Sequence, residues 1–480
     1  MGASILSSVT ATSAVPTDPG QVSTDATPVV SAGSRLAWLD ALRGIAALLV
    51  VYEHLTHFLF NPFRLAVEHW FFAGYSGVCL FFLVSGYIIP ASLERRGSLR
   101  GFWVSRVFRL YPLFVFVLGL VVLLDVIGLS PVGDYARSHV LVTTMAHGTM
   151  LPALLGVPDL LGVTWTLAFE MAFYLLVAAL FAVGLRKGSP GVALVLAGTA
   201  LVLGGAMPVL VFSHAGPHPT VATRDVVVLA ALAFVVALAG MLSGRRVLAR
   251  AGAVLGGLLA ALLLLFNQDT VHRWDGLLIP ALMFTGTTIY RADRRQISRW
   301  WALLVPLAVA GVWILQTWRE LDGYEAYYHQ FKPRIVITMA VVAAIFGTAM
   351  LLRHRRIPRA LAWIGLVSYS VYLLHLVVFQ VAEPLFGAHD GKPSTAPLYL
   401  QAVYYLVLVG LVLAASWLTY RLIEAPAQRL GKRVSRWLDD RYGSDAVAAP
   451  ASGAAVRVPA QRSGPPVGEV SEPGDLVRHE

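Results

Sequence analysis

The chain has 480 residues, 57% of them hydrophobic and only 13% charged, and its mean hydropathy is +0.69. Soluble domains carry nearer a quarter charged residues, so this composition excludes an ordinary water-soluble globule. The net charge of +10 does not read as a nucleic-acid footprint, because the arginines are spread through short connections between apolar runs.

Those runs recur with lengths of about twenty residues, enough for a helix to cross a hydrocarbon layer. Lipid offers the backbone no hydrogen-bond partners, so each crossing segment must close its own bonds as a helix. The runs do not alternate polar and apolar residues, which excludes a membrane β-barrel. The predicted fold class is all-α, a polytopic transmembrane helix bundle of about 10–12 spans. Cys79 is the only cysteine, so neither a disulfide framework nor a thiolate metal site is expected.

In chain order, residues 1–35 are rich in Ser, Thr, Ala, Pro and Val and have no basic start, which predicts a disordered cytoplasmic segment and not a signal peptide. A membrane domain is expected over 36–431. Its apolar segments lie near 39–60, 71–92, 108–129, 163–185, 191–213, 225–243, 249–266, 274–291, 300–317, 334–352, 363–386 and 397–422. With the N-terminus inside, the inner connections hold 24 Lys and Arg against 8 in the outer ones, which orients the bundle with both termini cytoplasmic. The plasma membrane is the expected location. Residues 138–156 are apolar but carry two histidines, threonines and a proline, and are expected as a re-entrant or interfacial element on the outer side. Residues 432–480 are expected as a cytoplasmic, largely disordered tail. No internal repeat is visible.

The first span, "WLDALRGIAALLVVYEH", contains Arg43 and His54. Eleven residues turn a helix through about 1100°, so the two share a face roughly 16 Å apart along the axis. Ionisable groups at such depth are costly and mark function by default, although a snorkelling arginine and a histidine bonded to a neighbouring helix would also account for them. In the second span, "LFFLVSGYIIP" places Ser85 and Gly86 where a ligand or another backbone comes close; plain small-residue packing explains them equally well. "RVFRLYP" opens the third span with Arg106 and Arg109 on one face, suited either to phosphate or to headgroup anchoring. "TWTLAFEMAFY" carries Glu170 and, one turn on, Tyr174. Counted along the helices, Glu170 and His54 lie at similar depths, so an imidazole is an expected partner for the carboxylate. "SYSVYLLH" sets Tyr372 and His375 one turn apart near mid-membrane. "YRLIEAPAQRLGKR" closes the last span with Glu424 among basic residues, where it reads equally as a surface ion pair worth little. His214 and His218 are closely spaced but lie in a proline-broken loop, and no metal is expected.

Taken together, and in this order, these stretches resemble the integral-membrane acyltransferase type 3 family of O-acyltransferases acting on sugars, polysaccharides and antibiotics. The resemblance runs from about Leu36 to Gly431. It implies an acyltransferase that moves a group other than an aminoacyl group, with cytoplasmic acyl-CoA (acetyl-CoA foremost) as donor. The implied acceptor is a hydroxyl of a carbohydrate, polysaccharide or glycosylated small molecule, with membrane lipid around it and no nucleic acid. By position Arg43 and His54 fall on the family's arginine–histidine motif, Arg106 and Arg109 on its paired arginines, and Glu170 on its fourth-span acidic residue. His54 is then the expected base or nucleophile, with Glu170 as a candidate orienter. The cofactor-binding candidates are Arg43, Arg106, Arg109, Ser85 and Gly86, and the further candidates are Tyr174, Tyr372 and His375. Glu53, beside the histidine, is not part of the pattern. A proton-coupled secondary transporter using buried His54, Glu170 and the arginines is the competing expectation; the missing repeat counts against it.

Overall fold

The computed structural model describes residues 37–129, 132–213, 221–268, 272–383 and 394–443. The expectations for residues 1–35, for His214 and His218, and for the chain beyond 443 lie outside the described residues. Among the described residues there is no strand.

The helices are α1 (Ala37–Phe58), α2 (Asn61–Glu68), α3 (Ala73–Arg96), α4 (Leu99–Val126), α5 (Asp134–Ser138) and α6 (Val140–Gly148). They continue with α7 (Trp165–Ala182), α8 (Ser189–Leu203), α9 (Val221–Leu242), α10 (Arg246–Phe266), α11 (Asp275–Asp293) and α12 (Trp301–Asp322). The last five are α13 (Lys332–Leu351), α14 (Arg359–Leu366), α15 (Ser368–Ala382), α16 (Leu398–Thr419) and α17 (Ala425–Tyr442). Nine described helical segments are long and apolar enough to cross a membrane, ten if α14 and α15, bent by 70°, form one span. The other two expected segments form α1 and α11, helices of 22 and 19 residues that carry charged residues and lie largely inside the bundle. The protein is an integral membrane helix bundle.

Residues 138–156 do not make a span. The nine residues of α6 rise only about 13 Å, too short to cross. The segment leads instead to Asp159, whose carboxylate accepts the backbone N–H groups of Leu161 (2.9 Å) and Thr164 (2.6 Å) and so fixes the entry to α7. Glu53 has a similar role. It accepts the N–H of Gly74 (3.2 Å) in the first turn of α3, where a carboxylate offsets the positive end of the helix. Ser98 caps α4 by accepting from Gly101 (2.9 Å), immediately after α3 ends on Gly97 in the left-handed conformation.

The expected boundary at 431 falls inside α17. Its polar face is tied down by Arg100, whose guanidinium bonds Asp439 (2.7 Å) and the carbonyl of Gly443, and Gly431 sits against the ring of Phe108. Residues 432–442 are therefore ordered helix packed on α4.

Backbone contact between helices decides the packing of α3 on α11 and of α1 on α14. A methyl group added at Gly86 would stand 1.9 Å from the Met283 carbonyl oxygen, and one at Gly365 would stand 1.7 Å from that of Asp40. Gly86 thus answers to helix packing; it does not line the cavity described below. We expect Gly86→Ala and Gly365→Ala each to destabilise the fold by about 1–3 kcal/mol or more. Gly410→Ala, with nothing within 4 Å of the added carbon, should leave it unchanged. Thermal unfolding of the three variants in detergent checks this.

Candidate active site

Four elements bring charge into the middle of the bundle. α1 contributes Asp40 and Arg43, α4 contributes Arg106 and Arg109, and α7 contributes Glu170. A π-helical turn over Tyr420–Glu424, between α16 and α17, contributes Glu424. Arg43 and Arg109 act electrostatically on Asp40 and on Glu424, and Glu170 acts on Arg43 and Arg106. Three guanidiniums and three carboxylates thus lie within electrostatic reach of one another, with no direct ion pair among them. Glu424 is buried (3% exposed), which rules out the surface ion pair; it accepts from Ser370 Oγ (3.2 Å) and Gln428 Nε2 (3.0 Å).

A cavity is bounded by Arg43, Ser85, Arg109, Glu170, Tyr369 and Tyr372 together with apolar side chains. About 60 Å³ of it is open to the centre of a water molecule, room for a few waters or a thin chain but not for a saccharide. Glu170 accepts from Tyr174 Oη (2.5 Å) and Ser85 Oγ (3.2 Å). Tyr372 Oη donates to the Val163 carbonyl (3.0 Å) and shares a hydrogen bond with Thr166 (2.6 Å), which fixes its ring at the cavity wall.

At the arginine-rich end of the bundle a second, wider pocket has about 260 Å³ of such space. Arg95, Arg96, Arg106, Arg109 and Lys432 line it, with Ser105, Gln428 and Ser435. Arg109 lines both chambers. Arg106 is buried, with its guanidinium carbon 5.2 Å from the Phe102 ring centre and 5.3 Å from that of Tyr174. Stacking of this kind holds the charge in place and leaves its edge available.

His54 lies beyond the opposite end of the cavity. Its Nδ1 is 2.9 Å from the Val50 carbonyl oxygen and 3.4 Å from His375 Nε2. Tyr372 connects the two regions: it lines the cavity, and its ring centre is 6.0 Å from that of His375. The expected contact between Glu170 and His54 is not made. α1 packs on α3, α13, α14 and α15, while α7 packs on α3 and α10, so α3 stands between the two groups and its Ser85 takes the carboxylate. Equal depth along two helices did not imply adjacency across the bundle.

Of the candidates, Arg43, Arg109, Ser85, Glu170 and Tyr372 converge on the cavity, while Arg106 lies on the wider pocket. Tyr174 bonds Glu170, and His54 and His375 pair with each other. Sequence reasoning missed Arg95, Arg96 and Lys432. Their signal was only a basic connection, which orientation in the membrane already explained.

A sequence profile described as an acyltransferase domain matches residues 36–421, most of the chain. The chain belongs to this acyltransferase family. It is 24% identical over 418 residues to a peptidoglycan O-acetyltransferase of Listeria monocytogenes, covering 82% of this chain and 56% of that one. It is 26% identical over 418 residues to a putative peptidoglycan O-acetyltransferase of Bacillus subtilis, covering 82% and 55%. Over 178 residues it is 31% identical to Nodulation protein 10 of Rhizobium leguminosarum, covering 34% and 48%. The chain thus spans about half the length of these relatives. No solved structure matches it. The matched segment contains the cavity and both histidines, whereas Gln428, Lys432 and Ser435 of the wider pocket lie outside it.

In this family member, removing the Glu170 carboxylate strands the Ser85 and Tyr174 hydroxyls that donate to it. Glu170→Ala is expected to destabilise the protein by about 1–3 kcal/mol, and Glu170→Gln, which keeps an acceptor for Ser85 and Tyr174, by less. Comparing unfolding midpoints of the two variants with wild type tests the ranking.

Proposed function

We propose that this acyltransferase is a membrane-embedded O-acetyltransferase. On this reading it moves an acetyl group from acetyl-CoA, bound at the arginine-rich end, to a hydroxyl of a carbohydrate, polysaccharide or glycosylated small molecule. His54 is the general base. The arginine-rich end faces the cytoplasm, as the distribution of positive charge in the connections suggests, and the membrane is the plasma membrane.

The observation that carries the reading is the shared position of Arg109. It joins a wider basic pocket to a narrow cavity that leads, through Tyr372, toward the histidine pair. Arg95, Arg96, Arg109 and Lys432 suit the phosphates of the nucleotide end of CoA. The cavity suits the thin thioester arm and is too small for a sugar. The acceptor therefore meets the acyl group on the His54 side. The names of two relatives, one a peptidoglycan O-acetyltransferase and one a putative peptidoglycan O-acetyltransferase, support a saccharide hydroxyl as acceptor. Family membership counts against the proton-coupled carrier.

The reaction asks little of the protein beyond placement and one proton. An alcohol attacks a thioester poorly until a base takes its proton, and histidine is matched to that task near neutral pH. His54 takes the hydroxyl proton as the oxygen bonds to the thioester carbon. The carbon–sulfur bond breaks, and the proton passes from His54 to the departing sulfur, leaving an ester and CoA. A nucleophilic His54 would instead release one equivalent of CoA in a burst before any acceptor is added.

The first test is CoA release from acetyl-CoA by purified protein in detergent, with water or an added peptidoglycan fragment supplying the attacking hydroxyl. Wild type should release CoA and His54→Ala should not, with CoA binding retained in both. Lys432→Ala should weaken CoA binding about three- to tenfold, as expected for losing one partly screened charge-assisted contact. If wild type neither binds nor cleaves acetyl-CoA, the donor assignment falls.

A further inference from the structure

We propose that His375 is a positioning residue: its unprotonated Nε2 accepts the Nδ1–H of His54 and holds that ring in the tautomer whose Nε2 is free to take a proton. The proposal rests on the reading of His54 as base and adds a second histidine to it.

The assignment follows from which atoms are able to donate. A backbone carbonyl only accepts. His54 Nδ1 lies 2.9 Å from the Val50 carbonyl oxygen, and His375 Nδ1 lies 3.1 Å from the Val371 carbonyl oxygen. A lone pair at either nitrogen would face an oxygen lone pair, so each Nδ1 carries a hydrogen. In a neutral ring the other nitrogen is then bare. His375 Nε2, 3.4 Å from His54 Nδ1, is thus an acceptor, and the His54 N–H is shared between it and the Val50 oxygen. The contact is long, as catalytic contacts often are before substrate binds. A cationic His375 would set its own N–H against that of His54, so the pair requires it neutral.

The surroundings agree. His375 is fully buried, with Tyr372 and Phe379 ring centres at 6.0 and 5.8 Å. Among the described residues no carboxylate forms an ion pair with either ring. Histidine bases usually have a carboxylate on Nδ1, which orients the ring and stabilises the imidazolium. Here a neutral imidazole takes that place on Nδ1, while the carboxylate of the neighbouring Glu53 is bonded to the Gly74 N–H instead. His54 accepts the hydroxyl proton at Nε2, keeps its Nδ1–H on His375, and returns the Nε2 proton to the leaving thiolate. His375 ends as it began.

The direct test needs no substrate. Protein labelled with ¹⁵N-histidine is studied by NMR in detergent, with the His54→Gln and His375→Gln spectra assigning the two rings. Both should be neutral and protonated at Nδ1; a ring protonated at Nε2 overturns the proposal. In turnover of acetyl-CoA, His375→Leu should lose about 10–100-fold in kcat with KM for acetyl-CoA unchanged. His375→Gln, whose oxygen reaches the place of Nε2 and accepts, should recover much of that loss. The double variant His54→Ala/His375→Leu should be no slower than His54→Ala alone, since the second residue acts through the first. If His375→Leu runs at the wild-type rate while His54→Ala is dead, or if Gln is no better than Leu, the positioning role fails and the base reading survives. If His54→Ala keeps full turnover, the base reading fails and takes this role with it.

Discussion

The organising constraint is the cost of placing ions inside an apolar bundle. A guanidinium or carboxylate taken out of water costs several kcal/mol unless opposite charge and hydrogen bonds surround it. This protein sets three arginines against three carboxylates from four separate elements, α1, α4, α7 and the π-helical turn. The elements that supply the charges are thereby required to meet. The π-turn belongs to this requirement: the extra residue it inserts turns Glu424 inward toward Ser370, where a regular helix would carry on past it.

Close backbone approach is the second requirement, and it serves the first. Between apolar helices in lipid the hydrophobic effect gives little preference for one packing over another, so shape and small residues decide. Gly86 lets α11 press onto α3, which turns Ser85 toward Glu170. Gly365 lets the short α14 press onto α1 at Asp40, just where α14 bends by 70° into α15. That bend carries Tyr372 and His375 to the cavity wall and to His54.

Much of this was legible in the sequence, for a physical reason. Polar residues within apolar runs are too costly to be incidental, so Arg43, His54, Arg109, Glu170, Tyr372 and His375 stood out, and all of them lie on the cavity or the histidine pair. Positions along a helix were also readable, because rise and rotation per residue are fixed. What one helix cannot encode is its neighbour. The pairing of Glu170 with His54 failed because depth is a property of each helix alone, while adjacency depends on which third helix comes between. Glu424 stayed ambiguous for the converse reason: a carboxylate near basic residues at a helix end looks solvated until the turn that buries it is known. Lys432 was hidden because α17 is strongly polar and resembles a solvated tail, yet Arg100 and Phe108 hold it against α4.

The narrow waist at Arg109 bears on the membrane as well as on the chemistry. A polar passage through a bilayer invites ions to follow it, and a cell depends on its ion gradients. The chamber beyond the wider pocket has room for only a few waters, and its walls carry the guanidiniums of Arg43 and Arg109. Glu170 stands on the same wall, and a chamber this small leaves a hydrated ion little room to keep its shell of water. The thin, neutral thioester arm proposed for this cavity carries no hydration shell of that kind. On the proposed reading, the constriction that fits the thioester arm is thereby also the place where ions are least able to follow it.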